Sequence, residues 1–266
     1  MSATAAASLR SGGALAWLGA RTLSLFEEVG RFFYILHYTI YWSLRRPRDF
    51  REWLRQMVRV GVDSLPVVGL TAMFTGMVMA LQTYRGFERF HAESFVASVV
   101  SLSLTRELAP VLAALMLAGR VGSSLAAEIG TMRVTEQIDA LYAMATEPIQ
   151  YLIVPRVAAT TLMLPPLVAC AGGIGIFGGY AVSVGLMDAN PVVYWEKTFQ
   201  FLDLNDVFSG LIKAAVFGLV LSVTGCTKGF FTSGGAEGVG RATTAAVVMS
   251  SLVILLSDFF LTKILF

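Results

Sequence analysis

The sequence is poor in charged residues. Charged side chains make up 14% of the 266 residues and hydrophobic ones 56%, whereas soluble domains carry about 25% charged residues. A soluble fold with so little polar surface would aggregate, so the expected solvent is a membrane. The formal net charge of +2 is too small to indicate a nucleic-acid-binding protein.

Several catalytic and metal-binding patterns are missing as well. The two cysteines, Cys170 and Cys226, lie in apolar runs, and the two histidines are far apart in the sequence, so no spacing indicates a metal site or a disulfide. The sequence contains no GxxxxGK[ST] motif for nucleotide phosphates. Two histidines outside the apolar runs do not assemble a Ser/His/Asp set, and Glu107 alone does not make an aspartyl-protease pair. We therefore expect a chain with no catalytic site and no metal or cofactor of its own.

Five apolar runs are long enough to cross a bilayer, which takes about 20 residues of helix. We predict an all-α integral membrane protein with spans at about 64–84, 94–119, 157–187, 207–227 and 242–266. The third run exceeds one straight crossing, and Pro165 and Pro166 predict a bend, but no polar turn divides it into two spans. Lys213, near the start of the fourth run, is expected to snorkel. The glycine-rich stretch 228–241 is predicted to be a flexible turn.

Residues 1–60 form a separate basic segment in this interpretation. Apolar side chains in 26–40 recur at spacings of three and four, which predicts an amphipathic helix. Its uncharged part is too short to span, so we expect it to lie in the membrane interface. The arginines that follow, from Arg45 to Arg59, either face anionic headgroups or form a solvated basic loop. The stretch 1–25 resembles a transit peptide in composition, or is a frayed basic N-terminus.

Arginine and lysine are unevenly distributed along the chain. Most lie in the segments 1–63, 120–156 and 228–241, whereas the remaining loops hold few and balance them with acids. Cytoplasmic loops of membrane proteins carry an excess of these residues. The asymmetry therefore predicts a cytoplasmic N-terminus and, with five spans, a C-terminus on the outer, periplasmic side.

The stretch 104–148 carries polar residues that an apolar scaffold does not need. Arg106 and Glu107 fall near the middle of the predicted second span, where each charge costs about 2.5–3.5 kcal/mol on insertion scales. Adjacent residues do not face each other on a helix, so each side chain is expected to find a partner on another helix, on another subunit or in a water-filled cavity. The pair is either part of a functional site or an ion pair that only fixes packing.

A short amphipathic helix is predicted after this span. The segment 120–148 is expected to lie in the cytoplasm, where Thr135 caps a helix that ends before Pro148. Its apolar face would consist of Ile138, Leu141, Tyr142 and Ala145. This helix is either a contact element for a soluble partner or an ordinary loop helix at the interface.

These motifs support a resemblance to a known family. The stretch LTRELAPVLAALMLAGRVGSSLAAEIGTMRVTEQIDAL at 104–141, with FTGMVMALQ at 74–82 and VGRATTAAVV at 239–248, resembles the MlaE/YrbE family of ABC-transporter permeases. The resemblance covers about 50–266. It implies a lipid-exporter-like permease domain at 61–266 after an interfacial helix in 1–60. It also implies a homodimer in the inner membrane. Because five spans are too few to enclose a lipid path and no internal repeat supplies a second half, we expect that path between the copies, lined by apolar residues of the first, second and fifth spans.

The resemblance further implies partners and roles for residues. The partners would be a separate ATPase that binds ATP and Mg, an MCE-domain lipid-binding protein, and in some cases a STAS-domain protein; the cargo would be phospholipid moving between envelope membranes. The residues expected to couple the chain to the ATPase are Glu128, Arg133, Glu136, Gln137, Ile138, Asp139, Leu141 and Tyr142. Those expected along the substrate pathway are Arg106, Glu107, Met77, Leu81 and Tyr84. The alternative is a membrane scaffold or channel without ATP coupling.

Overall fold

The computed structural model of the protein describes residues 14–45, 50–89 and 91–265. Helices are the only regular elements within this part of the chain, as predicted. The α-helices are α1 Ala14–Ser43, α2 Phe50–Gly61, α3 Leu65–Glu88, α4 Val96–Ser103, α5 Ala109–Leu117, α6 Ser123–Val134, α7 Gln137–Ala143, α8 Val154–Gly185, α9 Pro191–Phe201, α10 Leu204–Phe230 and α11 Gly235–Leu265. The stretch 1–13, Arg46 and Arg48 of the basic segment, and Phe266 at the end of the last predicted span lie outside the described residues.

Five helical stretches are long and apolar enough to cross a membrane, which confirms the predicted number. We name them span 1 to span 5: Arg51–Glu88, Glu93–Val134, Ile149–Gly185, Leu204–Phe230 and Gly235–Leu265. Span 2 contains α4, α5 and α6, joined by two π-helical segments, Leu104–Leu108 and Ala118–Gly122. The chain is therefore a multi-pass membrane protein.

Spans 1 and 2 extend beyond their predicted bounds. In span 1, α2 continues through a short 3₁₀ turn, Val62–Ser64, into α3, so a boundary at residue 60 would fall inside one helical stretch. Span 2 continues to Val134. The first half of the segment 120–148, which was predicted to be a cytoplasmic loop, is therefore part of this helical stretch. At 1.5 Å per residue, its 42 residues measure about 63 Å, roughly twice the apolar thickness of a bilayer. Part of span 2 must therefore project into water.

Span 3 crosses once, as predicted, and its α-helix continues through Pro165 and Pro166. It packs against span 1 through close backbone contact. A Cβ atom added to Gly76 would lie 1.9 Å from the carbonyl oxygen of Gly175. Glycine at this crossing lets two membrane helices approach more closely than larger residues allow.

The turns between helices correct two predictions. Thr135 does not cap α7: it ends α6, and its hydroxyl donates to the Thr131 carbonyl at 2.8 Å. Glu136 precedes α7 with a φ of 61°, which breaks the helix there. The stretch 228–241 is not a flexible turn, because α10 runs to Phe230 and α11 begins at Gly235.

The connection between spans 3 and 4 contains one further helix, and α1 is another. The loop predicted between spans 3 and 4 contains α9, whose first turn is capped by Asn190: its side-chain oxygen accepts from the Val192 N–H at 2.9 Å. In α1, Ile35 faces the protein core, whereas Phe26 and Phe33 of the predicted apolar stripe are exposed. An outward apolar stripe fits a helix in the membrane interface.

Candidate functional site

The polar side chains in the first third of span 2 form a cluster with spans 4 and 5. Arg106 and Glu107 lie in the π-helical segment Leu104–Leu108, an irregularity often found at functional sites. The Arg106 guanidinium reaches Asp206 Oδ1 at 2.7–2.8 Å. Asp206 is buried at the start of α10 and also accepts from the Asp203 N–H at 3.2 Å, as part of a capping box. The Arg106 guanidinium is thus held by the Asp206 carboxylate, which the capping box at the start of α10 keeps in place.

Glu107 has its own partners. The Lys213 ammonium lies 2.7 Å from Glu107 Oε2 and 3.1 Å from Asp258 Oδ1, and it also donates to the Thr262 hydroxyl at 2.7 Å. The expectation that each charge of the pair finds a partner on another helix is confirmed. The expectation that Lys213 snorkels is wrong, because its side chain has no exposed surface.

Arg106 and Glu107 are the most exposed members of the cluster. The Arg106 and Glu107 side chains are 39% and 36% exposed, whereas those of Asp206 and Lys213 are 3% and 0% exposed. With Asp258, the five groups carry two formal positive and three formal negative charges. A ligand could therefore meet a guanidinium or a carboxylate at this level of span 2, each held by a buried counter-ion on span 4.

The apolar residues predicted for the same pathway lie elsewhere. Met77, Leu81 and Tyr84 of α3 are half-buried and pack against a small core formed by α4, α8 and α9. The Tyr84 hydroxyl donates to the Met187 carbonyl at 3.2 Å. The predicted pathway residues therefore lie in two places. The charged pair contacts spans 4 and 5, whereas the three apolar residues pack against the start of span 2, span 3 and α9.

A second polar cluster occupies the far part of span 2. Glu128 pairs with Arg59 of span 1 and, at 3.1 Å, with Arg156 of span 3. Arg156 is buried, with 9% of its side chain exposed. Glu128, predicted to contact an ATPase, is therefore engaged within the chain and ties three spans together. Glu128 lies 21 residues beyond Glu107, about 32 Å along the helix. Because span 2 runs from Glu93 to Val134, the Arg106–Glu107 pair lies in its first third and not at its middle, as was predicted from the shorter apolar run.

The predicted apolar face of α7 is divided between the protein's own core and the surface, where Tyr142 and Ala145 are exposed. Ile138 is fully buried in the protein's own core, and half-buried Leu141 packs against the same core. Burial within the chain prevents Ile138 from filling a groove on a partner, so that prediction is corrected. Burial, followed by the nearby charge of Glu147, raises the pKa of Tyr142. The predicted coupling residues that are exposed are Glu136, Gln137, Asp139 and Tyr142.

Arg133 completes the surface of α7. Its guanidinium lies 2.6 Å from Asp139 Oδ1, linking the end of span 2 to α7. Ile138, which is fully buried, holds α7 against the core next to the end of span 2.

Several members of both clusters were not predicted from the sequence to be site residues. Lys213, Asp258 and Arg156 are charged residues inside apolar spans, and such residues pair or line a functional cavity. Considering every charge within the spans together would have singled them out. Which charges meet depends on helix packing and was not visible in the sequence.

Comparison with known protein families supports the resemblance noted in the sequence. The family described as "Permease MlaE" matches residues 53–264. The chain belongs to the MlaE permease family. This membership identifies it as a membrane transport permease. The matched residues include nearly the whole of the five spans and both polar clusters.

Relatives of this MlaE permease include proteins from bacteria and a plant. A "Probable ABC transporter permease protein" of Rickettsia bellii is 51% identical over 249 residues, covering 94% of this chain and 96% of the relative. The "Intermembrane phospholipid transport system permease protein MlaE" of Haemophilus influenzae is 36% identical over 250 residues, with the same coverage. The Arabidopsis thaliana "Protein TRIGALACTOSYLDIACYLGLYCEROL 1, chloroplastic" is 40% identical over 217 residues, covering 82% of this chain and 62% of the relative.

Proposed function

We propose that this chain is the membrane-spanning subunit of an ATP-driven transporter that moves phospholipid between envelope membranes. A separate ATPase would bind ATP and Mg, and an MCE-domain protein would exchange lipid with the permease; a STAS-domain protein is a further candidate partner. The printed name of the Haemophilus influenzae relative supports the cargo. The printed name of the Rickettsia bellii relative supports the ABC assignment.

The observation that carries the proposal is the half-exposed Arg106–Glu107 pair in an otherwise apolar span. Guanidinium groups bind phosphate oxygens in paired, charge-assisted hydrogen bonds. An adjacent carboxylate would accept from a headgroup ammonium or hydroxyl. The pair would therefore guide the polar part of a phospholipid, while Met77, Leu81 and Tyr84 would contact its apolar part.

The expected orientation in the membrane fits separate positions for ATPase contact and lipid binding. The positive-inside asymmetry favours an inner-membrane protein with a cytoplasmic N-terminus. In that orientation, Glu128 and α7 lie toward the cytoplasm and the Arg106–Glu107 pair lies about 32 Å away, toward the periplasm. ATP hydrolysis would then act on one end of span 2 and lipid exchange would occur at the other.

A second copy is also part of the proposal. In the most apolar stretch of span 5, only 17% of the residues are buried within the chain, whereas 61% are buried in the corresponding stretch of span 4. A homodimer packed through spans 1, 2 and 5 would cover this surface and enclose a lipid path that one copy does not enclose.

Reconstitution tests the function. The permease with its ATPase in vesicles is expected to transfer fluorescent phospholipid to acceptor MCE protein only when ATP and Mg are present. A catalytically inactive ATPase is the matched control. Equal transfer with the inactive ATPase would favour the alternative of a channel without ATP coupling.

A further inference from the structure

A cavity of about 330 Å³ lies where the end of α1 meets the starts of spans 1 and 3. Trp42 of α1 and Arg45 after it form one side, Glu52 and Trp53 of span 1 form a second, and the segment 146–155 forms a third. Its volume is within the range of sites that bind small molecules, about 300–1,000 Å³. Because α7 connects span 2 to span 3, the cavity lies on the same face of the membrane as α7, and a solute on that side can reach it without crossing the bilayer.

Two charged side chains of this cavity have no counter-ion among the described residues. The Glu147 carboxylate is half-buried and forms no ion pair or hydrogen bond within that part of the chain. The Arg45 guanidinium lies 4.3 Å from the centre of the Tyr41 ring but pairs with no carboxylate of the described chain, Glu147 included. Glu52, by contrast, is already paired with Arg55 at 3.0 Å. The cavity therefore offers an occupant one unmatched cation and one unmatched anion.

Two neutral N–H groups of the same side chains' surroundings are also unpaired. Trp42 Nε1 and Gln150 Nε2 are buried and have no hydrogen-bond partner within the described part of the protein, and both residues line the cavity. A buried donor without an acceptor destabilises a folded chain. The oxygens of a bound carboxylate would satisfy such donors, in addition to the attraction of Arg45.

The remaining walls are apolar. Trp53 is half-buried, Val154 and Pro155 are buried, and Tyr151 is 59% exposed. Binding sites for small molecules combine such aromatic and aliphatic walls with a few placed polar groups. An occupant that fits this cavity therefore carries an apolar group next to its charges.

We propose that this cavity binds a free α-amino acid with an aromatic or large aliphatic side chain. Its carboxylate meets Arg45, its ammonium meets Glu147, and its side chain packs against the apolar walls. A purely anionic ligand would leave Glu147 unmatched and a purely cationic one would leave Arg45 unmatched, so the two charges select a ligand that carries both. Phospholipid headgroups that carry both charges place polar glycerol esters, not an apolar group, beside them. A bound amino acid would join α1 to spans 1 and 3, and its binding does not depend on phospholipid transport.

Equilibrium binding of radiolabelled L-phenylalanine to the full-length protein tests this site. The protein is placed in nanodiscs of phosphatidylglycerol, whose headgroup has no ammonium, and saturable binding is expected. Two analogues each lack one charged group: 3-phenylpropanoate has no ammonium, and phenethylamine has no carboxylate. Each should compete about tenfold more weakly than unlabelled L-phenylalanine, because each loses a charge-assisted contact.

Variants assign the two contacts. Glu147→Gln should weaken L-phenylalanine binding about tenfold without weakening 3-phenylpropanoate, whereas Arg45→Gln should weaken L-phenylalanine without weakening phenethylamine. Retained binding of the analogue shows that each variant is folded. Glu136→Gln and Arg21→Gln, at exposed positions outside the cavity, are the matched controls and should bind L-phenylalanine like the parent protein.

Three results would overturn the proposal. The first is the absence of saturable L-phenylalanine binding, and the second is an equal loss of binding in the two control variants. The third is displacement of L-phenylalanine in nanodiscs that contain phosphatidylserine or phosphatidylethanolamine, since the cavity would then hold a lipid headgroup. The proposal predicts an unchanged affinity in those nanodiscs.

Discussion

Lys213 bridges span 2 and span 5 through Glu107 and Asp258 while having no exposed surface of its own. Lys213→Met would leave two carboxylates without their shared cation. Breaking a fully buried pair costs about 3–5 kcal/mol, and the partial exposure of Glu107 reduces the expected loss to about 2–4 kcal/mol. Thermal unfolding in detergent should show a clear fall in Tm. Lys263→Met, at an exposed position of the same span 5, is the control, and equal Tm values for the two variants would contradict this role of the cluster.

The sequence predicted the importance of Arg106 and Glu107 but not which residues they contact. Arg106 and Glu107 are visible because charges interrupt an apolar run, and the cost of burying them predicts partners. Asp206 lies just before the predicted fourth run and Lys213 near its start, and hydropathy does not report which helices pack together. Ile138 was predicted to face a partner because amphipathic spacing defines an apolar face but not what covers it.

Among the elements, the crossing of spans 1 and 3 depends on glycine. A methyl group at Gly76 would overlap the Gly175 carbonyl oxygen, so Gly76→Ala must separate the two helices. We expect a destabilisation of about 1–3 kcal/mol, the usual cost of overpacking, measured by thermal unfolding. Gly86→Ala on the same α3 has open space around it and should be neutral or slightly stabilising. A neutral Gly76→Ala would show that these helices are not packed as described.

The element expected to receive the ATPase is α7. Cysteine crosslinking to the ATPase should succeed for Ala140→Cys, whose position is exposed, and fail for Ile138→Cys, whose position is fully buried on the same helix. Asp139→Asn should weaken ATPase binding modestly and in a salt-dependent way, because rim charges mainly tune association rates. Efficient crosslinking from Glu237→Cys, at the start of span 5, without any from Ala140→Cys would assign coupling to the turn between spans 4 and 5.

The sequence predicted the existence of the elements better than their bounds. Long apolar runs fixed the number of spans, because a bilayer demands about 20 apolar residues for each crossing. The extension of span 2 to Val134 was missed because its second half is rich in small and charged residues. Those residues are accommodated by the Glu128 cluster with Arg59 and Arg156, a tertiary contact that local hydropathy does not show.

For the whole molecule, the uneven burial of the spans predicts a dimer. Leu252, Leu255 and Phe259 form an exposed apolar stripe on span 5. Disulfide crosslinking of Leu252→Cys should join two copies, whereas Phe177→Cys, exposed on span 3, should not. Native mass spectrometry of the extracted complex should find two permease copies, and a single copy would contradict the dimer.

The central claim is that the half-exposed pair on span 2 lies on the lipid path of an ABC permease, and ATP-dependent transfer of phospholipid by Arg106→Ala and Glu107→Ala complexes tests it most directly. Loss of one charge-assisted contact worth about 1.5–3 kcal/mol predicts a fall of roughly tenfold or more in the transfer rate. Insertion, copy number and ATPase binding should remain as in the parent complex. Parental transfer rates in both correctly inserted variants would contradict the claim and reduce the pair to a packing contact.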